Sequence, residues 1–153
     1  LRIASSRIVG QGDIVGRSGY FSLNLKICRA VDNHSSYVQQ LAWLVWIHTD
    51  ETATEQDFEG AYQDIIDQNT PLFEKQTESL TAYQMNFLRA VLEGVHREFT
   101  TRAILQKYKL GSSANVSIVK RALLKKELIE MEKRQVVIPD PVMEEWLRRE
   151  LGL

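Results

Sequence analysis

The clearest pattern of apolar and polar positions lies in the second half of the chain, between Leu80 and Pro139. Three short segments there repeat their apolar residues with the period of about 3.6 that is typical of amphipathic helices. Two short runs follow, residues 129–132 and 135–138, and they flank a pair of basic residues, which predicts two strands joined by a basic turn. Three helices followed by such a hairpin form the pattern of a winged helix-turn-helix domain.

The first and second of these helices have recognisable ends. Thr81 and Gln84 have the spacing of a capping box, in which each side chain bonds the backbone N–H of the other residue. The apolar face of this helix consists of Phe87, Leu88, Val91, Leu92 and Val95. Thr100 or Thr101 is suited to cap the second helix, and Gly111 stands where a C-terminal glycine is favoured.

The third helix is expected over residues 114–126, with a cap from Ser112 or Ser113. Its apolar face consists of Val116, Val119 and Leu123. After the hairpin, Asp140 as N-cap and Pro141 at the first helical position predict a last helix. Its inward-facing residues are Met143, Trp146 and Leu147.

The first half of the chain predicts a helical bundle. One helix is expected over residues 22–31, and a second begins after Ser35 or Ser36, with apolar residues almost all round. A third begins after Thr54, with Asp57 at the third helical position, and is expected to break near residues 69–70, just before a proline.

Charge divides the chain at the same place as the capping box of the second half. Residues 1–79 carry 6 Lys and Arg against 11 Asp and Glu, whereas residues 80–153 carry 13 against 9. We therefore predict a helical subdomain over residues 22–79, which ends in a polar linker at 74–79, followed by a winged-helix domain with its C-terminal helix. Residues 1–21 form a poorly defined leader. The predicted fold class is mainly α, with one small β-hairpin.

Composition excludes several classes of protein. The single cysteine, Cys28, leaves no internal disulfide to form and indicates a reducing compartment such as the cytoplasm. No apolar run reaches the roughly 18 residues that a membrane span needs, and there is no signal-peptide pattern. Because the chain begins with Leu1 and not Met, we expect it to be a fragment.

No catalytic constellation is visible in the sequence. Gly10, Gly16, Arg17 and Ser18 approach a phosphate-binding P-loop, but the gap between the glycines is one residue too long and arginine replaces the lysine. We prefer a flexible or truncated leader. The other candidate reactive residues are His48, His96 and Cys28. None of them has a partner at the spacing of metal ligands or of a nucleophile and its base. We predict no metal site, and we expect Cys28 to lie in the core.

Residues 31–43, VDNHSSYVQQLAW, resemble the G-G-H-P-x-Y-x-Q-x-L turn and helix of prokaryotic AAA-type ATPases of the archaeal-ATPase (STAND-related) group. In that group this segment belongs to a helical lid behind the nucleotide domain. Residues 54–61 are similar to the I-T-x-E-D-h-x-x-A segment of those lids. Residues 80–116, with Leu128-Ile129, Asp140-Pro141 and Trp146-Leu147, are similar to their C-terminal winged helix.

The resemblance implies that the chain is the non-catalytic C-terminal part of a P-loop ATPase. Walker A and Walker B elements are missing, so the chain itself would hydrolyse nothing and need no cofactor, while ATP and Mg²⁺ would belong to an upstream nucleotide-binding domain of the same protein. His34 matches the histidine of the family and would sense nucleotide state, or it would only fix the turn by bonding nearby backbone. Two departures are Ser35 at the usual proline and Asp32-Asn33 at the glycine pair.

DNA binding is a second function that the winged-helix pattern suggests. The third helix of such a domain enters the major groove, and the wing touches phosphate. The candidate contacts are Asn115, Ser117, Lys120, Arg121 and Lys125 on the helix, and Lys133 and Arg134 on the wing. The glutamates near the wing, and the reuse of winged helices as protein-contact modules, favour a protein partner instead.

The sequence therefore predicts two alternative functions. The first is the regulatory end of a P-loop ATPase, whose winged helix contacts DNA or another protein. The alternative is a stand-alone winged-helix transcription regulator, in which the N-terminal helices serve as a dimerisation or effector domain.

Overall fold

The computed structural model describes residues 15–153 and confirms the predicted fold class, mainly helical with one two-stranded antiparallel sheet. Residues 1–14 of the predicted leader, including Gly10, lie outside the described residues. The rest of that leader belongs to the first helix, so the segment Gly16 to Ser18 is helical and is not a phosphate-binding loop. The described elements are α1 (Val15–Ala30), α2 (Ser35–His48), α3 (Glu55–Thr77), α4 (Ala82–Leu92), α5 (Arg102–Lys107), α6 (Ser113–Lys125), β1 (Glu130–Glu132), β2 (Gln135–Val137) and α7 (Pro141–Glu150).

Helix α3 crosses the division between two compact units of the chain, which lies between Thr70 and Pro71. A proline inside a helix removes a backbone hydrogen bond and favours a break. The expected break is not present, since α3 continues through Pro71 to Thr77. The side chains of Asn69 and Thr70 donate to carbonyl oxygens four residues earlier, at 2.7 and 3.0 Å. The helix continues to Thr77. The prediction of a polar linker over residues 74–79 was therefore wrong for its first four residues.

The turn between α1 and α2, in the first unit, depends on two residues with left-handed backbone. Asp32 has φ 47° and Asn33 has φ 60°, a conformation that Asp and Asn adopt more readily than most residues. Helix α2 then begins at Ser35 with His34 as its N-cap residue, and the side chain of His34 makes no cap bond. The predicted serine cap of α2 was therefore wrong. The buried residues of this unit include Val31, Leu41, Phe58, Ala61 and Ile65.

The predicted capping box at Thr81 is present, and Thr54, the predicted cap of α3, forms a similar reciprocal arrangement with Asp57. At the start of α3, the Thr54 N–H donates to Asp57 Oδ2 at 2.7 Å, and the Asp57 N–H donates to Thr54 Oγ1 at 3.3 Å. At the start of α4, the Thr81 N–H donates to Gln84 Oε1 at 2.8 Å, and the Gln84 N–H donates to Thr81 Oγ1 at 3.3 Å. Each arrangement satisfies two backbone donors that the helix itself leaves unpaired.

The end of α5 differs from the prediction. The left-handed residue after this helix is Lys109 (φ 52°), not Gly111, and the Leu110 N–H donates to the Leu105 carbonyl at 3.0 Å in a Schellman arrangement. The chain turns this early because Leu110 is then buried, with only 1% of its surface exposed. Gly111 (φ 78°) belongs to the following turn, where an added Cβ would lie 3.2 Å from Asn115 Nδ2.

The core of the second unit forms between the inner faces of its helices. The predicted inward positions of α6 and α7 are confirmed, and so are those of α4 except Val95, which lies after the end of the helix and is half-buried. The fully or nearly buried residues are Phe87, Leu88, Val91, Leu92, Val116, Val119, Leu123, Met143, Trp146 and Leu147. The last turns of α3 belong to the same core. There the ring of Phe73, 1% exposed, contacts the ring of Trp146 with centroids 5.7 Å apart.

The hairpin and last helix follow the predicted order. Strands β1 and β2 pair with Met131 opposite Val136, and the turn between them consists of Lys133 (φ 46°) and Arg134 (φ 66°). Asp140 caps α7, since its Oδ1 accepts the backbone N–H groups of the second and third helical residues, both at 2.9 Å. These positions confirm the predicted winged-helix arrangement.

Candidate nucleic-acid interface

Helix α6 presents one face to the core and the opposite face to solvent. The Ser112 hydroxyl caps the helix by accepting the Asn115 N–H at 3.2 Å. Because successive residues of an α-helix turn by about 100°, the stripe opposite the buried valines and leucine can be read from the spacing i, i+4, i+7, i+11. That stripe consists of Ala114, Ile118, Arg121 and Lys125, and all four are exposed.

The basic side chains of α6 differ in their positions. Arg121 and Lys125 belong to the exposed stripe and form its C-terminal half, whereas Lys120 lies on its flank and is half-buried. Within residues 23–153, none of these three takes part in an ion pair or a side-chain hydrogen bond. Their charges are therefore available to an anionic partner.

The two polar side chains of α6 that were predicted to reach base edges are engaged within the fold. Asn115 Nδ2 donates to the Leu110 carbonyl at 2.7 Å and closes the turn from α5 to α6. Ser117 Oγ donates to the Ser113 carbonyl at 3.3 Å, within the helix itself. Asn115 is half-buried and Ser117 is exposed.

The wing tip carries the other two predicted contacts. Lys133 and Arg134 are both exposed, and they occupy the two central positions of a type I′ turn. The Arg97 guanidinium donates to the Lys133 carbonyl at 3.2 Å, which connects the tip to the loop after α4. Lys133 Nζ lies 3.9 Å from the Glu132 carboxylate, a weak and exposed contact.

A hydrogen-bonded cluster joins the end of α4 to the end of α5. Lys107 Nζ and the Tyr108 hydroxyl both donate to Glu93 Oε2, at 2.9 and 3.0 Å. The bond from Lys107, and then the bond from Tyr108, hold the pKa of the Glu93 carboxyl below its usual range. The bond between Lys107 and the Tyr108 hydroxyl, together with Glu93, raises the pKa of the Lys107 ammonium.

The remaining candidate residues lie in the first unit or in the loop after α4. His34 Nδ1 is 3.0 Å from Ser36 Oγ at the start of α2, and His48 Nε2 is 2.8 Å from Asp64 Oδ2. Cys28 is half-buried and is a free cysteine. Within the described residues there is no group of three His, Cys, Asp or Glu side chains that would hold a metal ion. No helix in that part of the chain has the length and apolarity that a membrane span requires.

A protein-family model described as "Probable winged helix domain" matches residues 71–149, just over half of the chain. The chain therefore belongs to this winged-helix family. The match begins at Pro71, where the second compact unit also begins. No curated protein and no solved structure matches the chain.

Ile118 is the residue of this surface that the sequence reasoning missed. Its side chain is 64% exposed, although it is large and apolar. The contacts predicted from the sequence are all polar or basic side chains. The helical spacing of Ile118 from Ala114 and Arg121 was visible in the sequence and places it at the centre of the outward stripe.

Proposed function

We propose that the winged helix binds double-stranded DNA, with α6 in the major groove and the wing tip on the neighbouring backbone. The observation that carries this proposal is a pair of cations, Arg121 and Lys125, which lie on the α6 face opposite the core and pair with no side chain of residues 23–153. The helix of a winged helix-turn-helix that follows its turn is the one that enters the groove.

The charges near α6 favour a DNA duplex as partner over an apolar protein surface. Arg121 and Lys125 provide two positive charges along one helix face, and Arg134 adds a third at the exposed wing tip. Each phosphate that such a residue neutralises releases counterions, which makes the affinity for DNA fall as salt rises. Glu130 and Glu132 are exposed on β1, the strand before the tip, and place negative charge there.

A direct test is fluorescence anisotropy of the full chain with a labelled mixed-sequence duplex of about two helical turns, at increasing salt. We expect binding that weakens steeply with salt. Arg121→Glu combined with Lys125→Glu is expected to abolish it.

The matched control is Lys75→Glu combined with Arg149→Glu, which makes the same change of charge on α3 and α7. This variant is expected to retain more affinity than the α6 variant. Equal losses in the two variants, or no binding by the native chain at low salt, would contradict the proposal.

A second candidate is the regulatory end of a P-loop ATPase, with the described N-terminal helices as the lid. It is supported by the backbone at Asp32 and Asn33, where both residues have the positive φ that would suit the glycine pair of the lids which this segment resembles. In this function His34, which directly follows that pair, would sense nucleotide state. ATP and Mg²⁺ would bind in an upstream domain of the same protein, and this chain would have no catalytic role.

The reading frame that encodes the chain tests this second candidate. A Walker A motif upstream of Leu1 is expected. An upstream region without such a motif would favour a stand-alone regulator instead. As a further check, we expect the chain alone to release no phosphate from ATP in the presence of Mg²⁺.

A further inference from the structure

The outward stripe of α6 has an apolar centre. Ile118 is 64% exposed, one turn after Ala114 and one turn before Arg121. An isolated apolar residue on a protein surface needs no explanation. Ile118 lies between Ala114 and Arg121 on the face of α6 that we propose faces the DNA. If the proposed DNA binding is correct, this position lets Ile118 contact the bases.

Direct polar reading of bases is restricted on this helix. The Asn115 amide, the usual type of group for reading adenine, already donates to the Leu110 carbonyl and lies at the flank of the stripe. The Ser117 hydroxyl already donates to a backbone carbonyl. The side chains that face outward ahead of Arg121 are therefore the methyl group of Ala114 and the branched chain of Ile118.

We propose that Ile118 contacts the C5-methyl group of thymine, so that the winged helix prefers sites with thymine at the position that α6 faces. This inference rests on the proposed DNA binding and adds to it the class of base that is read. The thymine methyl is the apolar group that A·T pairs present in the major groove, and apolar side chains are its usual partners.

The size of the effect follows from the apolar surface that the contact removes from water. Burial of one methyl-sized group contributes about fourfold in affinity. Arg121 and Lys125, which lie farther along the same stripe, would supply attraction to phosphate regardless of sequence. Ile118 thus sets a preference among sites and contributes little to the salt dependence.

Replacement of thymine by deoxyuridine tests the contact because it removes only the methyl group. The full chain is measured against an A·T duplex of about two helical turns, and against the same duplex with deoxyuridine at every thymine. We expect the native chain to bind the thymine duplex at least threefold more tightly, as about one methyl contact predicts. Ile118→Ala is expected to bind both duplexes equally.

Leu124→Ala is the matched control, since Leu124 is also an apolar residue of α6, 36% exposed, but lies at the side of the stripe. This variant is expected to keep the native preference for thymine. A second pair of duplexes contains cytosine or 5-methylcytosine in G·C pairs. Methylation is expected to raise the affinity of the native chain and to leave that of Ile118→Ala unchanged.

Two outcomes overturn the inference. The first is equal affinity of the native chain for the thymine and deoxyuridine duplexes. The second is a preference for thymine that Ile118→Ala retains, which would assign the methyl effect to DNA shape or to another side chain. Failure of the native chain to bind any duplex, in contrast, identifies the proposed function itself as wrong.

Discussion

His96 and Val136 are joined by two hydrogen bonds that attach the wing to the loop after α4. The Val136 N–H donates to the His96 carbonyl at 3.0 Å, and His96 Nδ1 donates to the Val136 carbonyl at 2.9 Å. A carbonyl oxygen only accepts, so this bond places the proton of the neutral ring on Nδ1. The pair Glu132 and Gln135, which closes the turn, is hydrogen-bonded, and such pairs alternate with non-hydrogen-bonded pairs in an antiparallel ladder. The next pair, Met131 and Val136, is therefore not hydrogen-bonded, and the backbone groups of Val136 point away from β1. The loop residue completes the wing as a third strand would.

Removal of the His96 side chain is expected to destabilise the second unit. In His96→Ala the Val136 carbonyl loses its ring donor, and a half-buried acceptor without a partner costs about 1–3 kcal/mol. His96→Asn is the matched control, because the Asn amide places an N–H donor at nearly the same distance from the backbone as Nδ1. Urea denaturation measures both variants. Equal losses for Ala and Asn would show that packing of the ring matters and the hydrogen bond does not.

Leu123 provides a test of the orientation of α6. Its side chain is fully buried, and Leu123→Ala is expected to lower the free energy of unfolding by about 2–5 kcal/mol. Leu124→Ala changes the next residue, which is 36% exposed, and is expected to cost clearly less. Thermal or urea denaturation of the two variants gives the comparison. Similar losses in both would mean that α6 is turned differently about its axis.

The cations of α6 are expected to determine how DNA binding depends on salt. Lys120→Ala combined with Arg121→Ala should weaken binding to any duplex and reduce the slope of log K against log salt by up to about two, one for each lost phosphate contact. Of the single variants, Arg121→Ala should have the larger effect, because Lys120 lies half-buried on the flank of the stripe. An unchanged slope in the double variant would place the DNA on another surface.

In the wing turn, the residues that favour DNA binding are expected to lower the stability of the fold. Both of its central residues have positive φ, which costs about 1–2 kcal/mol for a residue with a side chain, and type I′ turns favour Asn-Gly. Lys133→Asn combined with Arg134→Gly should therefore raise the melting temperature while it weakens DNA binding. Lys133→Asn combined with Arg134→Lys keeps one of the two charges and should retain more affinity. A double variant with Asn-Gly that binds DNA as well as the native chain would exclude the tip from the interface.

The Glu93 cluster predicts one component of the acid sensitivity of the second unit. The pKa of the Glu93 carboxyl is lower in the folded chain than the ordinary value of 4.5. The ionised carboxylate therefore contributes its full stabilisation of the fold above that pH. This stabilisation is lost as the pH falls through the lower folded value. In Glu93→Gln, stability should therefore fall less than in the native chain as the pH drops below 4.5. Glu150→Gln, a change at an exposed glutamate of α7, serves as control and should follow the native chain.

Several features that depend on a few adjacent residues could be predicted from the sequence, although the cap of α2 could not. The caps at Thr54, Thr81 and Asp140 follow from side-chain chemistry within one turn, and the structure contains all three. The buried face of α6 followed from helical spacing alone, and its residues are in the core. The basic tip of the wing followed from the position of Lys133 and Arg134 between two short apolar runs.

Features that depend on distant contacts could not be predicted in this way. The sequence around Pro71 favours a break, but α3 continues and Phe73 is buried in the second unit. Lys109 adopts a backbone that favours glycine because this buries Leu110, and local propensity gives no sign of it. The pairing of Asn115 with the Leu110 carbonyl also depends on how the turn folds. Because of that pairing, the outward-facing group ahead of Arg121 is the side chain of Ile118 and not the Asn115 amide.

The continuation of α3 beyond Pro71 has a practical consequence for anyone who wishes to isolate the winged helix. Expression from Leu80 would omit Phe73 and leave the indole of Trp146 without the aromatic neighbour that it has in the whole chain. Such a truncated polypeptide would expose apolar surface and tend to aggregate, so a failure to bind DNA would say little about the intact protein. A useful excision begins at Pro71 or earlier, so that the last turns of α3 are kept as the first element of the domain.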